Sequence, residues 1–322
     1  MMFEKAKHKL YKKAHKHRSY SHIFYRFTPF SVIAVFVIAL LGFGLYKELS
    51  SQLKPVVESP LSEMHTVPSD VKKTMGKPTP TTTILQTASS SAPFRVPILL
   101  YHYVEYVSDK KDKLRQALNI SPSVFEQQVI TLQNAGYTFM TAKELGDVLD
   151  GKMQLPNNPV LLTFDDGHWD FDTVVLPILR KYHVKATAYI IPGFLGGSDF
   201  MSQQQLQDVI NSGLVDVSAH TVHHISLKGK LPPIVNYEVS HSKAMLENTY
   251  HIHVVSFAYP NGAFDQQAIN SVKDSGFTTA VSTIPGIEQS NQNKFFLYRI
   301  RPGFRTAQML LNYLQQNRFR TY

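Results

Sequence analysis

PVLLTFDDG, residues 159–167, runs from a six-residue apolar segment straight into two carboxylates and a glycine. A short run that is apolar on both faces reads as a strand of a parallel sheet covered by helices. The same pattern recurs on either side of it. PILLYH (97–102), KATAYII (185–191), LVDVSAH (214–220), VVSFAYP (254–260) and FTTAVS (277–282) read as further strands. Between them, segments with apolar residues at helical spacing read as helices: 121–137, 141–151, 172–182 with an internal Pro177, 202–213, 234–250 and 264–276. Repeated strand and helix units of these lengths predict an α/β fold with a parallel sheet, and about seven of them favour a barrel over an open sheet. In such barrels chemistry collects at the carboxyl ends of the strands. Polar residues stand at those ends: His102, Asp165 with Asp166, His220, and the turn Tyr259-Pro260-Asn261-Gly262.

Composition changes sharply before residue 95. Residues 1–26 hold eight Lys or Arg against the single acid Glu4, so +7 of the chain's net +9 is confined to this arm. The remaining +2 on the rest of the chain, without a finger spacing or an RNA-binding aromatic pattern, argues against a nucleic-acid partner. Residues 27–46, FTPFSVIAVFVIALLGFGLY, carry no charge, and a 20-residue helix spans about 30 Å, the thickness of a bilayer core. The basic flank predicts a cytoplasmic N-terminus, a single-pass anchor in the cell membrane and an extracellular remainder. KELSSQLK after Tyr46 offers no small-x-small site, which favours an uncleaved anchor over a signal peptide. Residues 47–94 are rich in Ser, Thr and Pro and predict a disordered linker. The globular domain is then 95–322. Absence of cysteine excludes disulfides, thiolate metal sites and cysteine nucleophiles.

Two adjacent carboxylates repel unless their roles are divided, and a divalent cation divides them by holding one and leaving the other free to take a proton. Taken alone, Asp165-Asp166-Gly167 is more often a structural turn. His220 and His224 are four apart, and a helical turn of AHTVHH would send both imidazoles to one side. Two imidazoles and one carboxylate leave an open position on Zn²⁺ for a water, whose pKa falls toward ~7. Co²⁺ and Ni²⁺ accept the same ligand set. His223 is expected at the surface or behind the ligands. Trp169, the single tryptophan, stands just past the Asp-Asp-Gly turn, where its ring could stack on a sugar or plug the barrel mouth.

TFDDG at 163–167 and His-Thr-Val-His-His at 220–224 resemble the first two motifs of the polysaccharide deacetylases, the NodB-homology group called carbohydrate esterase family 4. The resemblance covers Pro97 to about Arg301 and implies a distorted (β/α)7 TIM-like barrel. It implies that Asp165 is the general base, that Asp166, His220 and His224 bind a divalent metal, and that N-acetyl groups of a polysaccharide are hydrolysed to release acetate. FAYPNG at 257–262 resembles the third motif, whose turn amide helps hold the oxyanion; here that donor is Asn261, with Tyr259 beside it. The family usually has Arg where Ala258 stands and Tyr where Asn261 stands, so an Arg acting on the base has to come from elsewhere, with Arg299 and Arg301 as candidates. The family's late Leu-x-His motif is replaced by FFLYRIRPGF. PILLYHYV resembles a subgroup acting on poly-N-acetylglucosamine, in which the His of the first strand is the general acid, and this assigns His102 that role. The membrane anchor and the Tyr-His strand favour a cell-surface amino-sugar polymer, poly-N-acetylglucosamine or peptidoglycan, over an O-acetylated polymer, and retention of both Asp and both His residues argues against a silent carbohydrate-binding module.

Overall fold

A computed structural model describes residues 92–316 apart from Ser108, Lys110 and Phe304. The basic arm, the apolar run and all but the end of the linker lie outside the described residues. Among the described residues no helix is long and apolar enough to cross a membrane. At the end of the linker, Phe94 and Arg95 pair, antiparallel, with Gln289 and Glu288.

Strands and helices then follow in the order β1 (Ile98–Tyr101), α1 (Pro122–Asn134), β2 (Thr138–Met140), α2 (Ala142–Leu149), β3 (Pro159–Phe164), α3 (Leu176–Tyr182), β4 (Ala186–Ile190), α4 (Gln203–Asn211), β5 (Val215–Ala219), α5 (Pro232–Tyr250), β6 (Ser256–Ala258), α6 (Gln266–Asp274), β7 (Thr279–Pro285), β8 (Leu297–Arg299) and α7 (Ala307–Gln316). The main sheet runs β8-β7-β6-β5-β4-β3-β1, all parallel, with β2 added on the first half of β3. Just past β8 the chain bonds back to β1: Ile300 N–H donates to Ile98 O and its carbonyl accepts from Leu100 N–H, both at 2.8 Å. Seven strands therefore make a nearly closed parallel barrel. It is distorted because no helix separates β7 from β8.

Side chains alternate across each strand, and the barrel turns this into an inner and an outer core. On β3, Val160, Leu162 and Phe164 point outward into the large cluster against the helices, whereas Leu161 points into the barrel with Ile98, Tyr189, Ala258, Val281 and Leu297. α2 stoppers the amino end of the barrel with Ala142, Leu145 and Leu149. Its first turn is tied to the strands by Ala142 N–H on Thr187 Oγ1 (2.8 Å) and Lys143 N–H on Asp216 (3.1 Å). Gly146 packs closely there: a Cβ would come within 3.0 Å of Thr278 Oγ1. Pro177 does not interrupt a helix: a π-helical turn, Phe171–Val175, precedes α3, and the proline falls in the first turn of α3 where its missing N–H is not needed.

Candidate active site

Parity along the strands carries the polar residues upward on the inner face. Continuing β3, Leu161, Thr163 and Asp165 share the inner side; on β5 the same side holds Asp216, Ser218 and His220, and on β8 Leu297, Arg299 and then Arg301. All rise toward the carboxyl mouth of the barrel.

Asp165 is buried, and the guanidinium of Arg299, itself 2 % exposed, grips it in a fork with Nη1 to Oδ1 at 2.7 Å and Nη2 to Oδ2 at 2.8 Å. Arg299 is fixed in turn by its Nε–H on Ser282 O (2.7 Å). Burial pushes the Asp165 carboxyl up, but the charge and hydrogen bonds of Arg299, with His220 and His102 nearby, outweigh it and hold the carboxyl below its usual range. Of the two arginine candidates the structure thus brings Arg299 to the carboxylate and leaves Arg301 exposed at the rim.

Asp166 turns the other way, at φ 77°. Its Oδ1 lies 3.4 Å from His220 Nε2 and 3.3 Å from His224 Nε2, is buried, and has no hydrogen-bond partner. His220 presents Nδ1 to the carbonyl of Ala258 at 2.7 Å, and a carbonyl only accepts, so the proton sits on Nδ1 and the lone pair on Nε2 faces Asp166. Among the described residues, Asp166, His220 and His224 form the one group whose ligand atoms all fall within 4.8 Å of one another. An orphaned buried carboxylate oxygen facing imidazole nitrogens fits a divalent cation. Charge agrees with this fit. Burial pushes His220 down, yet Asp166 and Asp165 outweigh it and raise the imidazole; burial pushes Asp166 up, yet His168 and His220 hold it well below the usual carboxylate range.

The route to this cluster is not the expected helical turn. Residues 220–224 form an irregular loop with Thr221 at φ 62° and His224 at φ 54°, and these two left-handed residues fold the segment back so that His224 meets His220. The ring centroids stand 4.9 Å apart. His223 points away, half-exposed, with Nδ1 on Glu238 at 2.8 Å.

His102 follows β1 on its inner face, near both carboxylates. Burial pushes its imidazole down to about 4, against the opposing pull of Asp165 and Asp166. A small cavity of about 50 Å³ lies beside it, bounded by Arg301, Gly303 and Ala117 to Ile120.

Asn261 takes φ 58° in the turn after β6, a conformation that asparagine tolerates better than most residues and that offers a reason for its presence where the family usually has tyrosine. Gly262 next to it is at φ 67°, and any Cβ would overlap Thr283 Oγ1 at 1.9 Å. Tyr259 requires a correction. Parity turns its ring outward with Phe257, where it is fully buried, stacks on Phe264 and donates its hydroxyl to Phe295 O at 3.0 Å. Its side chain packs in the outer core. Trp169 is half-buried, its amide bonded to Asp199 O at 3.1 Å.

Two residues at the site were not singled out in the sequence. His168 is buried between the rings of Tyr103 (3.9 Å) and Phe200 (5.1 Å), with Nε2 3.3 Å from Asp166 Oδ2. Asp170, also buried, accepts the amide of Val104 just beyond His102, and burial pushes it up to about 6. Both lie within five residues of the Asp-Asp-Gly turn, which was the available signal.

Residues 152–280 match the family described as polysaccharide deacetylase. The YxkH protein of Bacillus subtilis (strain 168) is 28% identical over 213 residues, covering 66% of this chain and 73% of that one. The poly-beta-1,6-N-acetyl-D-glucosamine N-deacetylase of Staphylococcus aureus (strain MSSA476) is 25% identical over 215 residues, covering 62% of this chain and 73% of that one. Among solved structures, the Streptococcus pyogenes deacetylase PplD, in complex with acetate, superposes with a TM-score of 0.64 at 28% identity, over 69% of this chain and 98% of that one.

Proposed function

Since the chain carries a domain of the polysaccharide deacetylase family and is related to poly-N-acetylglucosamine deacetylases, we propose that it hydrolyses N-acetyl groups of an N-acetylglucosamine polymer with the aid of a divalent metal. The observation that carries this reading is the division of labour between the two carboxylates. Asp165 is locked to Arg299, whereas Asp166 aims an unpartnered oxygen at two imidazoles.

Asp166, His220 and His224 are the residues that would hold the ion. When bound, a divalent cation supplies a Lewis acid for the amide carbonyl and makes water a competent nucleophile near neutral pH. Asp165, kept anionic by Arg299, accepts the proton of the attacking water. The turn amide of Asn261 donates to the oxygen that becomes negative as the carbonyl is attacked, a contribution of about 3 to 4 kcal/mol for one such donor. His102 delivers a proton to the leaving nitrogen as the C–N bond breaks. That proton balances the one Asp165 takes from water. Water is thereby split between acetate and a free amine.

Zn²⁺ suits two imidazoles and a carboxylate, and Co²⁺ or Ni²⁺ would be accepted by the same donors. The apolar run 27–46 behind a basic arm supports a single-pass anchor that holds residues 95–322 outside the cell membrane, next to poly-N-acetylglucosamine or peptidoglycan of the cell wall. The test is acetate release from N-acetylglucosamine oligomers by the purified chain with zinc and with chelator. Zinc-dependent release that falls by about 10² to 10⁴ in His102→Ala supports the reading and the acid together. No release from any N-acetylated oligomer, with zinc bound, would count against it.

A further inference from the structure

The loop that brings His220 and His224 together has no regular structure of its own, and two of its five residues take left-handed φ values. Something outside it has to hold it. Glu238 sits on the buried face of α5 between Val235 and Val239, a place where an apolar side chain would be expected, and it is 4 % exposed. A carboxylate there is tolerated only when its oxygens are fully bonded. Oε2 accepts two consecutive amides, Val222 N–H and His223 N–H, each at 2.9 Å, and Oε1 lies 2.8 Å from His223 Nδ1. From the opposite side Gly193 N–H donates to Val222 O at 3.2 Å, and it can approach so closely only because it lacks a Cβ, which would sit 2.3 Å from that oxygen. Glu238 holds residues 222 and 223 and Gly193 holds residue 222, within the three residues that separate the two imidazoles.

The geometry points to Glu238 as the positioning residue of the metal site: from a helix that contributes no ligand, its carboxylate fixes the loop and so sets the spacing of His224 against His220 and Asp166. This rests on those three residues being metal ligands. It also accounts for His223, which is a clasp on Glu238 and no ligand. Residues that orient ligands in this indirect way are commonly worth 10- to 100-fold in metal affinity.

The experiment is zinc titration of the metal-free full chain against a chromogenic chelator. Thermal unfolding of the metal-free protein and the visible absorption of the cobalt-loaded protein are measured alongside. Glu238→Gln keeps an oxygen for the two amides and should bind zinc within about threefold of wild type. Glu238→Asp withdraws the carboxylate by one methylene, and Glu238→Ala removes it; both should bind about 10- to 100-fold more weakly, with a changed cobalt spectrum. Should Glu238→Ala fail to fold, the Asp and Gln pair still decides the matter. Glu238→Asp binding zinc as wild type does, with the same cobalt spectrum, would overturn the assignment. Wild type failing to bind zinc at all would instead overturn the metal site at Asp166, His220 and His224.

Discussion

Asp165 and Asp166 are neighbours with opposite surroundings, and Arg299 makes the difference. Its fork satisfies both oxygens of Asp165, while Asp166 is left one oxygen without a donor. Removing the fork should cost more than activity, because a buried charge that loses its partner destabilises by about 3–5 kcal/mol. Arg299→Ala should therefore express poorly or unfold early, as a melting curve would show. Arg299→Lys keeps the charge but loses the two-pronged contact; kcat should drop by about 10- to 10²-fold, below the ~10² to 10⁴ expected from losing a base outright. The acid limb of its pH profile should move upward, since Asp165 loses part of what holds its carboxyl low. An unchanged pH profile would speak against Arg299 acting on the base. Tyr259 predicts the contrary pattern. Tyr259→Phe removes a buried hydroxyl bonded to Phe295 O and should cost about 1 kcal/mol of stability while leaving kcat and KM alone. A large fall in kcat would return Tyr259 to the substrate site.

At the scale of elements, strand ends were legible because apolar runs stopped at polar residues. Asp165, Asp166, His102 and His220 all follow from that rule, and alternation along β6 turns Tyr259 outward. What could not be read was the shape of the 220–224 loop. Four-residue spacing suggested a helical turn, but two left-handed residues and two clamps from other elements bring the histidines together instead. β8 was equally hidden, since Leu297–Arg299 is only three residues long; Arg299 was a candidate because Ala258 stands where the resembled family usually has arginine. The α2 plug has a measurable consequence at the barrel's amino end. Asp216 accepts the Lys143 amide there, and burial pushes its carboxyl up to about 7, although the side chain keeps some solvent contact. A folded-state pKa above the unfolded one means that its stabilising contribution is complete below about pH 4 and is lost as pH rises through about 7. Asp216→Asn should stabilise the metal-free protein at pH 8 by about 1–2 kcal/mol, discounted from the ~4 kcal/mol of three full pKa units because of that solvent contact, and change little at pH 4. Denaturant midpoints at the two pH values check this, and equal shifts at both would refute it.

For the whole molecule, the barrel delivers residues from β1, β3, β5, the turn after β6 and β8 to one mouth, so the site exists only when the ring closes through Ile300 onto β1. A charged arm, an apolar run and a Ser/Thr/Pro-rich stretch precede that barrel in the sequence and lie outside the described residues, and their proposed task is to keep this mouth at the outer surface of a membrane. One carboxylate is proposed to hold metal while its neighbour moves a proton. Zinc content and acetate release measured on the same samples of wild type, Asp165→Asn and His220→Ala test it most directly. Expected are one zinc per chain with turnover in wild type, zinc without turnover in Asp165→Asn, and neither in His220→Ala. Full turnover by Asp165→Asn, or turnover by His220→Ala without zinc, would contradict it.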